Sequence, residues 1–294
     1  MRNDFGILIL THGRAREMKT LHALERAGYT GRWYLVIDDE DNQADEYRAL
    51  YGDHVVQFCK RDTALWTDAG DNHDNRKAIL WARNESFRIA KDLGLTYFMM
   101  NDDDFCSYNY WMTNATHDIK HTSPLHTLDD CIEMAIGFLD ATKALSVAFA
   151  QGGDYIGGAN STPANKLTLR KCMNTFICRS DRPFQFYGRM NEDVTTYVRN
   201  AMLGKLMFTI TPFFVIPPAT QSISGGMSEE YKKAGTYTKT FYSVMYAPSA
   251  VKISVVGGGN GGGIGKNVAY YRVHHHIDWK YCCAKIINEK YKKK

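Results

Sequence analysis

The stretch that decides the fold is Arg83 to Phe105, RNESFRIAKDLGLTYFMMNDDDF. Its first part closes a long helix expected over 75–93, which Gly94 is placed to stop. The apolar run 96–100 then predicts a short buried strand, and it leads into Asp102, Asp103 and Asp104. Carboxylates crowded at the end of a buried strand repel one another, and each resists the loss of water. Something cationic is the expected compensation.

The same alternation extends back to the N-terminus. Residues 5–10 (FGILIL) and 33–37 (WYLVI) are continuous apolar runs, as in strands covered on both faces, and 54–58 predicts a third strand. Residues 16–27 carry Met18, Leu21, Leu24 and Ala27 at helical spacing ahead of Gly28, and 45–50 predicts a second helix. Repeated strand–helix–strand units predict an α/β fold, Rossmann-type, with a mainly parallel sheet and helices on both faces. Ligands bind such sheets beyond the carboxyl ends of the strands. Those ends are Thr11-His12-Gly13-Arg14, Asp38-Asp39 and Asp102-Asp103-Asp104, a polar edge where a ligand is expected.

The second half is less regular. Helices are expected over 127–145 and 191–203, strands over 146–150, 172–178 and 208–216, and a polar loop over 221–240. The glycine run 257–265 (GGGNGGGIG) has no helix behind it, which argues against a phosphate-binding loop. No repeat or linker divides the chain, so 1–294 is expected to form a single domain. At 44% hydrophobic over 294 residues the chain can bury a large core. No apolar run reaches the roughly 20 residues that cross a bilayer. Seven cysteines without metal-site spacing fit reduced thiols and a soluble, cytoplasmic protein. A net charge of +4 tolerates a polyanionic partner without announcing one, and the terminal KYKKK is a local basic patch.

Alternate residues of a strand point the same way. Asp102 and Asp104 therefore share a side while Asp103 faces elsewhere; a strand ending one residue sooner would pair Asn101 with Asp103 instead. Hard carboxylate oxygens suit Mn²⁺ or Mg²⁺, which keep positions open for phosphate oxygens. An isolated acidic triplet is more often a solvated turn, but its place after a buried strand favours a divalent cation and the diphosphate it carries. At the other strand ends, Thr11, Arg14, Asp38 and Asp39 could meet a base or ribose, and Arg76 and Arg83 could pair with a diphosphate.

From Ala82 to Asp104 the chain resembles the GT-A glycosyltransferases: an ARN-x-S helix start, an A-x-x-x-G helix end, and an apolar strand into a DxD motif. Farther on, Gly188-Arg189-Met190-Asn191-Glu192-Asp193-Val194 resembles the acidic helix start of the same superfamily. That resemblance implies Asp102 and Asp104 as metal ligands, with Asp103 at the donor and a UDP-sugar the foremost donor. It makes Asp193, then Glu192, the base that takes the acceptor proton. Their bland alternative role is to complement the helix dipole. A late histidine as further metal ligand is also implied, and His274, of His274-His275-His276, is the choice. Residues 1–110 would bind the nucleotide sugar and 111–294 the acceptor.

The segments MNTFICRSDRPFQFYGRMNEDVT, GTYTKTFYSVMYAPSAVKI and RVHHHIDW resemble the TET-associated glycosyltransferases of bacteriophages. This implies a hydroxymethylated pyrimidine in DNA, 5-hydroxymethylcytosine foremost, as acceptor, and the host cytoplasm as the setting. Tyr108, Tyr110 and Trp111, expected in a polar loop, could stack on a base, and Lys232, Lys233, Lys239 and the terminal lysines could meet phosphates. Acceptors such as a glycan, protein or small molecule, a GT-A-like nucleotidyltransferase, and a non-catalytic nucleotide-sugar-binding protein remain rivals. The nucleotidyltransferases usually carry a glycine-rich basic loop after the first strand, and THGRAREMK holds a single glycine.

Overall fold

A computed structural model describes residues 1–71, 78–113, 119–151, 171–218, 238–258 and 270–282. Its centre is a nine-stranded sheet in the order β3-β2-β1-β4-β8-β7-β9-β5-β6. The first four are β1 (Phe5–Leu10), β2 (Arg32–Asp38), β3 (Val55–Phe58) and β4 (Tyr97–Asp102), all parallel to one another. β7 (Ser146–Gln151), β9 (Met207–Ile216) and β6 (Ile119–Pro124) point the same way, whereas β8 (Phe176–Arg179) and β5 (Ser107–Thr113) are reversed. The expected mainly parallel α/β sheet is thus what the chain forms. Strands from both halves of the sequence share it, so the halves are not separate domains.

β1 is buried along its whole length because both faces are covered. Ile7 and Ile9 join Met99 beneath α1 (Lys19–Arg26), α2 (Ala44–Tyr51) and α5 (Leu128–Thr142). Leu8 and Leu10 join Phe98 and Met100 on the opposite face, under α4 (Leu80–Asp92) and α6 (Glu192–Met202). The short α3 (Lys60–Ala64) follows β3. Each such aliphatic or aromatic side chain contributes roughly 1.5–3 kcal/mol by leaving water.

Several elements depart from expectation. The first helix begins at Lys19, three residues later than its apolar spacing implied. The helix expected over 75–93 is described from Leu80, with Arg76 outside the described residues. The strand expected over 172–178 lies at Phe176–Arg179; Cys172 is buried ahead of it without joining the ladder. Tyr108 and Tyr110 sit in β5, not in a loop, and Tyr108 is buried with its hydroxyl accepting from Asn101 Nδ2 at 2.7 Å. Burial removes Tyr108 as a stacking surface for a base.

The region expected as a loop at 221–240 falls mostly outside the described residues; what is described is helical, α7 at 238–246, and includes Lys239. Lys232, Lys233 and the terminal lysines lie outside, as does most of the glycine run, whose Gly257 and Gly258 end β10. A separate antiparallel hairpin, β10 (Val251–Gly258) with β11 (Tyr270–Ile277), leads into α8 (Trp279–Cys282). Stacking of Trp279 on Tyr197 ties this hairpin to α6. The six described cysteines are free thiols. Among the described residues no helix is long and apolar enough to cross a membrane.

Because β8 runs downward, the chain must climb back through residues 180–190 to deliver the NED segment to the ligand edge. The climb is fastened by one side chain and by backbone hydrogen bonds. Asn84 of α4 accepts the Phe186 N–H (2.7 Å) and donates to the Phe186 carbonyl (3.1 Å). Gly188 and Arg189 N–H groups bond the carbonyls of Asp68 and Ala69 at 3.0 and 2.7 Å.

Candidate active site

Parallel strands bring Thr11, Asp38 and Asp102 to one edge. The acidic triplet is shaped from α1: Thr20, fully buried, donates its hydroxyl to the Asp102 carbonyl (2.6 Å) and accepts the Phe105 N–H (3.0 Å). The three carboxylates then divide between two arginines. Asp103 is locked inward, taking the Thr11 hydroxyl and Arg14 Nη1, each at 2.7 Å. The Thr11 hydroxyl also meets the buried Tyr47 hydroxyl at 2.7 Å. Asn101 is fully buried beside Tyr108, so the alternative pairing of Asn101 with Asp103 leaves no ligand pair at the surface.

Asp102 faces the other layer, where its Oδ1 meets Arg83 Nη2 at 3.2 Å. Arg83 is only 2% exposed and lies over the rings of Phe176 and Phe186. Its Nε reaches Glu192 at 3.1 Å. One buried guanidinium therefore joins the DDD strand end to the NED helix start. Asp104 lies 3.7 Å from Arg14.

Burial, the largest cause, pushes the Asp102 carboxyl up to about 7; Asp104, Glu192 and Asp103 push the same way, and Arg83 opposes them. Asp103 and Asp104 are also raised, chiefly by burial and with Arg14 opposing. Glu192 is raised by burial against the pull of Arg83, with Asp193 adding to the rise. The cations present therefore leave this edge short of positive charge.

Asp193 is buried at the first turn of α6, and its Oδ1 accepts the N–H of Val194 at 2.7 Å, the bland helix-start role. Asn191 ahead of it takes a left-handed conformation (φ 58°) and donates to Ser243 Oγ. Beyond it stands His275 rather than His274: His275 Nδ1 lies 3.5 Å from Asn191 Nδ2. Burial, helped by His274, Lys239 and Lys171, pulls His275 down to about 3, so it is neutral at working pH. The His274 ring packs on His275, with centroids 4.2 Å apart. Among the described residues no three His, Cys, Asp or Glu side chains are grouped to hold a metal, so Asp102, Asp104 and His274 are not gathered into one cluster.

At the end of β2, Asp38 turns inward to the buried Lys60, with Nζ at 3.0 Å from its Oδ2. Asp39 Oδ1 accepts the Lys60 N–H at 2.8 Å. The structure thus brings Thr11, Arg14 and Asp103 together, and separately Arg83, Asp102 and Glu192. Thr20, Tyr47, Lys60, Asn84 and His275 escaped the sequence reading. A buried side chain that braces a distant backbone carries no local spacing signal.

The sheet thus sets its carboxylates along one edge in two groups, Asp103 and Asp104 about Arg14 and Asp102 about Arg83. The TET-associated glycosyltransferase family model matches residues 5–226, and the chain belongs to that family. No curated protein matches it. Among solved structures it is similar to glucosyl-3-phosphoglycerate synthase from Mycobacterium tuberculosis in complex with Mg²⁺ and UDP. That likeness is 9% identical at a TM-score of 0.48, covering 94% of this chain and 88% of the other. A mycobacterial protein matches at 10% identity and a TM-score of 0.45, over 94% and 84% of the two chains.

Proposed function

We propose that this glycosyltransferase takes a sugar from a nucleotide sugar, UDP-linked in the first instance, with a divalent metal. Its acceptor is the hydroxymethyl group of 5-hydroxymethylcytosine in DNA. One observation carries the donor half of this reading: Asp102 and Asp104 stand at the ligand edge with their proton affinities raised by burial, Asp104 adding to the rise at Asp102. The rise is incompletely offset by Arg83 at the one and by Arg14 and Lys19 at the other. Such a pair fits Mn²⁺ or Mg²⁺, whose remaining positions go to water and phosphate oxygens. Bound there, the ion would stabilise the nucleoside diphosphate as it leaves.

The chain's own residues do the rest. The acceptor oxygen bonds to the anomeric carbon as the bond from that carbon to the phosphate oxygen breaks, its electron pair leaving with the diphosphate. The hydroxyl proton passes to Asp193. Glu192 is tied to Arg83, which leaves Asp193 the freer base for an inverting transfer. Membership of a TET-associated family supports this acceptor, because the resemblance implies a hydroxymethylated pyrimidine in DNA made by an accompanying dioxygenase or hydroxymethylase. In a phage-encoded enzyme the setting is the host cytoplasm.

The test is mass spectrometry of nucleosides from 5-hydroxymethylcytosine DNA incubated with mixed nucleotide sugars, with and without Mn²⁺. A hexose- or pentose-sized gain that needs the metal is expected. Donor hydrolysis without any gain on DNA moves the acceptor to a glycan, protein or small molecule, and absence of both refutes the transferase reading.

A further inference from the structure

The polar edge holds a side chain that neither the donor reading nor the acidic motifs use: His12. The loop it opens is fastened throughout from the segment 41–51. Gly13 N–H bonds Asp41 Oδ2 (2.8 Å), Arg14 N–H bonds the Tyr47 hydroxyl (2.9 Å), and Ala15 N–H bonds Gln43 Oε1 (2.8 Å). The Tyr51 hydroxyl donates to the Ala15 carbonyl at 2.8 Å. Three of the backbone donors that such a loop could offer to phosphates are thus spent. A ligand over β1 must be read by side chains.

Of those side chains, Arg14 is committed to Asp103 and Thr11 to Asp103 and Tyr47. Asp38 is committed as well: its Oδ2 meets Lys60 Nζ and His12 Nδ1 (2.8 Å), and its Oδ1 accepts the Glu40 N–H (3.0 Å). His12 remains. Its side chain is 48% exposed, one ring nitrogen is fixed on Asp38, and the other is left for a ligand. Beside it Gly13 (φ +67°) has nothing within 4 Å of where a Cβ would stand, so the space is open.

The strand order bears on which end of a ligand would lie there. β1 sits between β4, which carries Asp102, and β2, which carries Asp38. A donor with its diphosphate at Asp102 and Asp104 and its nucleoside laid towards β1 and β2 would pass His12. We infer that His12, backed by Asp38 and Lys60, is the residue that reads the nucleoside of the donor, giving its free ring N–H to an acceptor atom of the base or ribose. This rests on the donor reading proposed above. Asp38 from β2, Asp41 from the following loop (3.9 Å) and Lys60 from α3 face the ring. The hydrogen bond to Asp38 leads in favouring the charged, two-donor form, which burial and Lys60 oppose.

The experiment is calorimetric titration of the whole chain with UDP, UMP and pyrophosphate in the presence of Mn²⁺, for the unaltered protein, His12→Ala and His12→Gln. GDP, ADP, CDP and TDP are tried where UDP does not bind. His12→Ala is expected to lower nucleotide affinity about ten- to hundredfold, with pyrophosphate unchanged. His12→Gln, which keeps an N–H at similar reach, recovers part of the loss. Melting curves confirm that both variants fold. Unchanged nucleotide affinity in His12→Ala, or an equal loss for pyrophosphate, overturns the inference and leaves the donor reading standing. If the unaltered protein binds no nucleotide at all, both fall together.

Discussion

Replacing Asp102 with Asn should stabilise the metal-free protein while abolishing transfer, and the gain should grow with pH. In the folded chain burial holds the Asp102 carboxyl near 7 against an ordinary 3.8. The folded state therefore keeps its proton to higher pH than the unfolded state does. Between the two values the unfolded chain ionises and the folded one does not, so wild-type stability falls as pH rises from about 4 to about 7 and then levels. At about 1.4 kcal/mol per pKa unit the whole burden is roughly 4 kcal/mol at pH 8, of which roughly 1.5 is already present at pH 5. The amide carries no charge at either pH. Its fixed cost, a poorer partner for Arg83, cancels when two pH values are compared.

Urea unfolding in EDTA at pH 5 and pH 8 should thus show the advantage of Asn over Asp growing by roughly 2–3 kcal/mol. Adding Mn²⁺ at pH 8 should then stabilise the wild type and leave Asp102→Asn nearly unmoved. A difference that stays constant or shrinks toward pH 8 would refute the claim that burial strains this carboxylate.

Three further outcomes are expected. Asp193→Asn should slow transfer about 10²–10⁴-fold with nucleotide affinity unchanged by calorimetry; a matching loss of affinity would place the residue in donor binding instead. Asn84→Ala strands both the N–H and the carbonyl of buried Phe186 and should cost about 2–4 kcal/mol in denaturant, unfastening the climb to the NED segment. Gly28→Ala should cost roughly 2–3 kcal/mol by thermal melting, because φ is +76° there and a Cβ would collide with the His126 carbonyl oxygen.

The parallel core was legible because its strands are buried on both faces. FGILIL and YFMM are continuous apolar runs, and such runs announce a covered sheet whatever the rest of the chain does. The reversed strands were harder. Cys172 and Met173 read as part of a strand because they are apolar, yet burial in an irregular segment gives the same pattern as burial in a ladder. Tyr108 misled for the opposite reason: its neighbours are polar, and only the distant strand β9 shows that it faces the core.

At the site, alternation suggested that Asp102 and Asp104 share a side, but it could not name what each would meet: Asp102 turns to Arg83, while Asp103 and Asp104 both lie near Arg14. Arg83 was expected to reach a diphosphate, and its position over Phe176 and Phe186 depends on residues almost a hundred positions away. His12 stood in plain view at a strand end, and only the commitment of Asp38 and Arg14 to other partners singles it out.

The ascent through residues 180–190 has an architectural meaning. The acidic pair at 192–193 is not carried by a strand whose reach the sheet dictates. It hangs from a tether whose height is set by chain length, by Asn84 of α4 and by backbone hydrogen bonds to Asp68 and Ala69. One residue more or less in that tether would move its end by roughly 3.5 Å, far beyond what proton transfer tolerates. On the proposed reading, the donor platform and the arm that would address the acceptor are separately adjustable parts, so different acceptors could be accommodated by refitting the arm while the platform stays as it is.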